Sequence, residues 1–338
     1  MLGYGAGRTT WQIIIGIPNT MTLKLVAAAL AALMLNGAAI AAEKHVAITQ
    51  IVEHPALDAT RKGVKDALAK AGYEAGKTLK WSYENAQGNG ATASQIAKKF
   101  VGEAPDVIVA IATPSAQAVA ASTRDIPLVF SAVTDPVGAK LVKSWDKPGG
   151  NITGVSDLSP IASHLKLVKD IAKNAKRLGV VSNPGEANSV ALVNLIKQEG
   201  PKLGMTVTVA AATKSGEVLQ AARSLVGKVD AIYIPTDNTV VSAFEAVVKV
   251  GRDAQIPVFA GDTDSVNRGA VAALGFNYYD VGVQTGEMVA KILAGAKPGD
   301  IPVSLVSKLE LYVNLKAAKA MGVSIPEAMI ASAKKVFK

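Results

Sequence analysis

The sequence predicts an α/β protein made of two doubly wound, parallel-sheet lobes joined by a hinge of several strands. Three observations predict it. Apolar strand-like runs alternate with amphipathic helix-like runs through most of the chain, the pattern left by βα units. The alternation breaks once, at KPGGNITGVS (147–156), and resumes as a second series of similar length. IPLVFSAVTD (126–135) and IPVFAGDTD (256–264) each set an Ile-Pro strand before an acidic turn, an internal likeness that fits two related lobes.

In order along the chain, HVAITQI (45–51) is a buried-strand candidate. After Pro55, the residues Leu57, Val64, Leu68 and Ala71 share one helical face that ends at Gly72. TLKWSYEN (78–85), DVIVAIA (106–112) and IPLVFSAV (126–133) read as further strands, with helices at about 91–102 and 114–123 between them. The second series runs helix 160–174, RLGVVSN (177–183), helix 188–199, MTVTVAA (205–211), helix 215–226, VDAIYIP (229–235), helix 238–250, IPVFAG (256–261) and AVAALGF (270–276). A helix over 280–294 and a strand SKLELYVN (307–314) follow, and the strand is expected to return to the first lobe. The expected division is residues 43–155 with about 277–338 in lobe 1, and 156–276 in lobe 2.

Residues 1–42 stand apart. They hold Arg8 and Lys24 and no acid, and from Met21 they read as a secretory signal: one lysine, an apolar run from Leu25 to Leu35, and an A-x-A pattern that places cleavage near Ala41 or Ala42. The run is short, rich in alanine and followed by no positive cluster, which weighs against a permanent membrane span. The signal proper begins at Met21, with residues 1–20 as a dispensable extension.

Composition narrows the chemistry. At 49% hydrophobic and 19% charged, the chain of 338 residues can bury two ordinary cores. It has no cysteine, which excludes disulfides, thiolate metal sites and cysteine nucleophiles; His45, His54 and His164 are too scattered to form a metal site by spacing. Taking Arg8 and Lys24 from the 36 basic residues leaves 34 against 27 acidic ones, a formal charge of +7. These charges are dispersed among acids along helical segments, so no nucleic-acid groove is expected.

In open parallel sheets, ligands sit beyond the carboxyl ends of the strands, where helix N-termini present free N–H groups. Those ends are Glu53-His54, Thr113 to Ala116, Val133 to Pro136, Asn183 to Asn188, Thr236 to Asn238, Asp262 to Asp264, and Asn277 to Tyr279. Helix capping alone explains Ser, Thr, Asn and Asp at such places. ATPSAQ is the most informative: Pro114 suits a first helical turn, and the Ser115 and Ala116 N–H groups with the Thr113 and Ser115 hydroxyls form a carboxylate cradle. Asp135, Asp237 and Asp262 are placed to meet an ammonium group. A helix terminus contributes about 0.3 to 2 kcal/mol, whereas micromolar affinity needs roughly 8, so closure of two lobes over the ligand is expected to supply the remainder.

No glycine loop for a dinucleotide or triphosphate is present, nor G-x-S-x-G. Glu53 and His54 read as the entry to the helix that Pro55 starts, and one of them is a candidate ligand contact. No enzyme, cofactor or metal is expected. A secreted α/β hydrolase or lyase using Asp135 or His54 is the alternative, and a ligand receptor for a membrane sensor a third reading.

The motifs QIVEHPALDATRKG, ATPSAQA, VFSAVTDPVGAKLV, GGNITGVSD, PTDNT and FAGD, in this order over about residues 44–335, resemble the substrate-binding proteins of bacterial ABC importers, specifically those typified by the tryptophan-binding component. The resemblance implies two Rossmann-like lobes of the type I periplasmic binding fold and a periplasmic receptor that passes a small solute, best an amino acid and possibly an aromatic one, to an ABC permease in the inner membrane. Carried onto this chain, the cleft is lined by Glu53, Thr113, Ser115, Ala116, Asp135, Asn183, Asp237, Asn238, Asp262 and Asn277, with Phe276 and Tyr278 as candidates for stacking on the ligand.

Overall fold

The computed structural model describes residues 1–3, 5, 7–12 and 43–338. The export signal expected from Met21 to Ala42 lies outside the described residues. Glu43–Lys338 form a compact unit of their own.

Two sheets organise that unit. The first contains β1 (Lys44–Gln50), β2 (Leu79–Asn85), β3 (Val107–Ile111), β4 (Leu128–Ser131), β5 (Ile152–Ser156) and β11 (Ser304–Leu305). All its pairings are parallel, in the order β11-β5-β4-β3-β1-β2. The helices α1 (Pro55–Lys70), α2 (Gly90–Glu103), α3 (Thr113–Ser122) and α10 (Tyr278–Leu293) belong with it. The second contains β6 (Arg177–Ser182), β7 (Thr206–Ala211), β8 (Ala231–Ile234), β9 (Val258–Ala260), β10 (Ala272–Gly275), β12 (Glu310–Asn314) and β13 (Lys335–Phe337), in the order β13-β12-β10-β9-β8-β6-β7. Its helices are α4 (Ile161–Ile171), α5 (Ala187–Glu199), α6 (Val218–Arg223), α7 (Asn238–Ser242), α8 (Phe244–Asp253), α9 (Asp264–Asn267), α11 (Leu315–Ala320) and α12 (Glu327–Ser332).

The sequence patterns explain this layering. VIVAI in β3, LVFS in β4 and AIYI in β8 are buried at every position, as central strands covered on both faces must be. TVTVAA in β7 exposes Thr206 and Thr208 and half-buries the valines between them, the alternation of a strand at a sheet edge. Each sheet has its own apolar core, one around Phe100, Phe130 and Ile108, the other around Phe244, Phe259 and Tyr233.

The chain passes between lobes three times: between β5 and α4, between β10 and α10, and between β11 and β12. The third passage corrects one expectation. SKLELYVN does not return to the first lobe; β12 pairs antiparallel with β10, Ala272 opposite Val313, in the second sheet. Val313, Ala318, Met321 and Ile325 accordingly pack in the second core. Of residues 277–338, then, α10 and β11 belong to the first lobe and the segment from β12 onward to the second. A second difference is local: the single helix expected over 238–250 is two, α7 and α8, interrupted at Ala243.

The first lobe is held to the hinge by α10, which crosses α1 at backbone distance. A Cβ on Gly282 would lie 2.0 Å from the Thr60 carbonyl oxygen, and one on Gly63 2.2 Å from that of Tyr279. No side chain fits there without separating the helices. Gly282→Val is therefore expected to destabilise the protein by about 2 kcal/mol or more, a fall in Tm of roughly 4 °C for a chain of this size. A Tm within one degree of wild type would contradict this packing.

Candidate functional site

The carboxyl ends of both sheets face one cavity. The first lobe contributes His54, Ala56 and Leu57 at the start of α1, and Ala132 and Thr134 just past β4. The second contributes Asn188 in α5, Thr236 after β8, Asn238 and Val241 in α7, and Asp262 after β9. Asp157 and Tyr278, just inside the first and second passages between lobes, complete the wall. The lobes approach so closely that ≈ 20 Å³ remains, room for about one water.

Among the described residues lining this cavity are two carboxylates and no lysine or arginine. Asp157 is 3% exposed; its Oδ1 accepts from the Thr134 hydroxyl (3.0 Å) and its Oδ2 from the Tyr278 hydroxyl (2.7 Å). Burial raises its pKa, and these two hydroxyls act against the rise. Asp262, 2% exposed, accepts from the Ser265 N–H (2.8 Å) and hydroxyl (2.7 Å). Burial raises its pKa too, opposed first by Ser265 and then by the charge of Arg268.

Three buried polar atoms of the wall have no partner: His54 Nδ1, Asn188 Oδ1 and Thr236 Oγ1. Asn188 Oδ1 is an acceptor by construction, because Nδ2 of the same amide donates to the Thr236 carbonyl (3.0 Å) and to Glu186 Oε2 (3.3 Å). His54 is neutral: burial lowers its pKa to about 3, with the charge of Arg268 adding to the effect and a contact with the Asn238 side chain opposing it. The wall is thus anionic and rich in acceptors, and suits a ligand group that brings positive charge and several N–H donors.

The residues expected from the sequence divide accordingly. Asn238 and Asp262 line the cavity, and so does Tyr278, though its hydroxyl is bound to Asp157. Thr113, Ser115 and Ala116 are buried at the start of α3, between the loops after β1 and β4, but do not reach the cavity surface; the two hydroxyls have no partner. Four others are turned to structural work. Asp237 is buried within the second lobe, accepting from Val240 N (2.9 Å), Asn183 N (2.5 Å) and the Ser189 hydroxyl (2.6 Å). Asn183 donates to Thr239 Oγ1 (2.8 Å), Asp135 closes its own turn by accepting from Gly138 N (2.8 Å), and Asn277 caps α10 through Tyr279 N (3.0 Å). Glu53 is exposed and accepts from the Tyr83 hydroxyl at 3.4 Å. Phe276 belongs to the first core.

Thr134, Asn188 and Thr236 lie in strand-end stretches that the sequence singles out, whereas Asp157 was missed. It directly follows the strand ITGVS, a strand end like the others, but the preceding Pro-Gly-Gly marks the region as a linker.

Residues 45–337 match the family described as ABC transporter substrate binding protein. The chain belongs to that family. Among related substrate-binding proteins is one named tyrosine-binding protein from Clostridioides difficile (strain R20291), 43% identical over 279 residues, which cover 82% of this chain and 81% of the relative. A solved domain from Streptococcus pneumonia in complex with L-Trp is 36% identical, covers 88% of this chain and 100% of its own, and superposes with a TM-score of 0.85. The ligand-free, open structure of a substrate-binding protein with adhesive properties from Clostridium difficile is 42% identical, covers 87% of this chain and 99% of its own, and scores 0.66. The fold is that of the type I periplasmic binding proteins.

The burial of His54 yields a direct check. NMR titration of the imidazoles is expected to find His54 and His164, whose pKa burial lowers to about 4, neutral down to about pH 5. A His54 that titrates near its ordinary 6.5 would contradict the enclosed cavity.

Proposed function

We propose that this substrate-binding protein is the extracytoplasmic receptor of an ABC importer and binds an aromatic α-amino acid, tyrosine or tryptophan, between two lobes that close on it. The observation that carries this reading is a cavity wall that holds Asp157 and Asp262 and, among the described residues, no lysine or arginine. An α-ammonium group neutralises such a pair and supplies the donors that Asn188 Oδ1 lacks.

The names of two relatives support the choice of amino acid. Closure is supported by the superpositions: this chain matches the L-Trp complex at 0.85, and the open, ligand-free protein at only 0.66 despite its higher identity. ABC permease subunits of the inner membrane are the assigned partners, and the periplasm the assigned location, reached by cleavage near Ala41 or Ala42. Among the described residues no helix is long and apolar enough to cross a membrane. No turnover is assigned, since Nδ1 of the neutral His54 has no orienting partner.

Calorimetry with L-tyrosine and L-tryptophan tests the reading. A ligand at 100 times its Kd is expected to stabilise the protein by about 2.7 kcal/mol. Affinity is expected to fall on acidification, beginning above the ordinary carboxylate range, because the raised pKa values of Asp157 and Asp262 let them take up protons early and lose their attraction for the ammonium. Indifference to both amino acids, or an affinity that rises as pH is lowered, would refute it.

A further inference from the structure

Glu186 lies behind the cavity wall, 6% exposed at the start of α5, and six donors converge on its two oxygens. Oε1 accepts from Thr239 N (3.0 Å), the Thr239 hydroxyl (2.7 Å) and Asn183 Nδ2 (3.4 Å). Oε2 accepts from Asn238 N (3.2 Å), Asn238 Nδ2 (2.6 Å) and Asn188 Nδ2 (3.3 Å). No lysine or arginine pairs with it among the described residues.

Capping a loop needs fewer bonds than these, and two of them reach the cavity. An asparagine amide presents a donor at one end and an acceptor at the other, and rotation by 180° exchanges them. Both Nδ2 hydrogens of Asn188 are committed, one to Glu186 and one to the Thr236 carbonyl. Rotation would push Oδ1 against a carboxylate and a carbonyl oxygen, so Oδ1 stays on the cavity side. The same carboxylate holds Asn238 Nδ2, and the Asn238 side chain meets the neutral imidazole of His54 across the cleft.

The geometry points to Glu186 as a positioning residue that sets the polarity of the ligand site: as a pure acceptor, it keeps the amides of Asn188 and Asn238 turned oxygen-outward, so that the wall selects a primary ammonium. This rests on the amino-acid reading above and assigns the discrimination to a residue that does not line the cavity. A glutamine at 186 offers an NH₂ group to the asparagine oxygens, permits the amide to rotate, and places a donor against the incoming ammonium.

The test compares each amino acid with its deaminated analogue: L-tyrosine with 3-(4-hydroxyphenyl)propionate, and L-tryptophan with indole-3-propionate, by calorimetry on wild type and Glu186→Gln. Hydrogen bonds to a charged group are worth about 1.5 to 3 kcal/mol, so the variant is expected to lose about 10- to 100-fold in affinity for the amino acid and less than about threefold for the analogue. An unchanged ratio, or an equal loss for both ligands as a merely structural role would give, overturns the assignment. Should Glu186→Gln fail to fold, Glu186→Asp, still a pure acceptor, is expected to keep the preference and Asn188→Ala to lose it; Asn188→Ala with full preference overturns it as well. Wild type that binds neither amino acid overturns the functional reading itself, and the role of Glu186 with it.

Discussion

Two carboxylates buried in a cleft that no described lysine or arginine lines are the constraint from which the rest of this molecule follows. An isolated ionised carboxylate loses far more in leaving water than one ordinary hydrogen bond returns, so each must collect donors or stay protonated. Asp157 collects them from different parts of the chain: Thr134 from the loop after β4, and Tyr278 from the second passage between lobes, 121 residues away. Since Asp157 lies in the first passage, its bond to Tyr278 at the end of the second ties two of the three hinge segments together at the cavity wall. Asp157, which meets the ligand's charge on the proposed reading, thus lies where the chain passes between lobes.

The second lobe carries a different arrangement to the same end. Glu186 and Asp237 are buried near one another, and burial together with the charge of Glu186 raises the pKa of Asp237. Their oxygens face inward onto backbone N–H groups and asparagine amides, which keeps the loops after β6 and β8 in register. What reaches the cavity from this cluster is the outward face of the asparagines, neutral but oriented. On the proposed reading, charge from Asp157 at the passage between lobes and from Asp262 of the second lobe acts on one ligand group together with the dipoles of Asn188 and Asn238. In the proposed mode of binding, that arrangement is complete only while the cleft is shut, which would give closure a free-energy source beyond a single helix terminus.

Much of the architecture was legible in the sequence because parallel sheets buried on both faces leave unmistakable runs such as VIVAI and AIYI, and Pro55 marks the start of α1 where the structure has it. The family was legible for the same reason, since its motifs are these strand ends. Which edge β12 completes was not, because its partner is β10, a strand distant in sequence, and the run SKLELYVN carries no mark of that pairing. At the site, Asp237 and Asp262 occupy equivalent strand ends with the same side chain, yet one is drawn inward by Asn183 N of the neighbouring β6 loop and the other remains on the cavity. That difference arises between strands distant in sequence and has no local signature. Asp157 was hidden by its neighbours: Pro148, Gly149 and Gly150 read as a linker, although β5, which follows them, is fully buried.

A crystal structure of the protein grown with L-tyrosine tests the central claim most directly. The account predicts the ligand's ammonium nitrogen about 3 Å from a carboxylate oxygen of Asp157 or Asp262, with Asn188 Oδ1 accepting one of its hydrogens. A ligand carboxylate at that position, or a ligand bound elsewhere with both aspartates left to their hydroxyl partners, would contradict it.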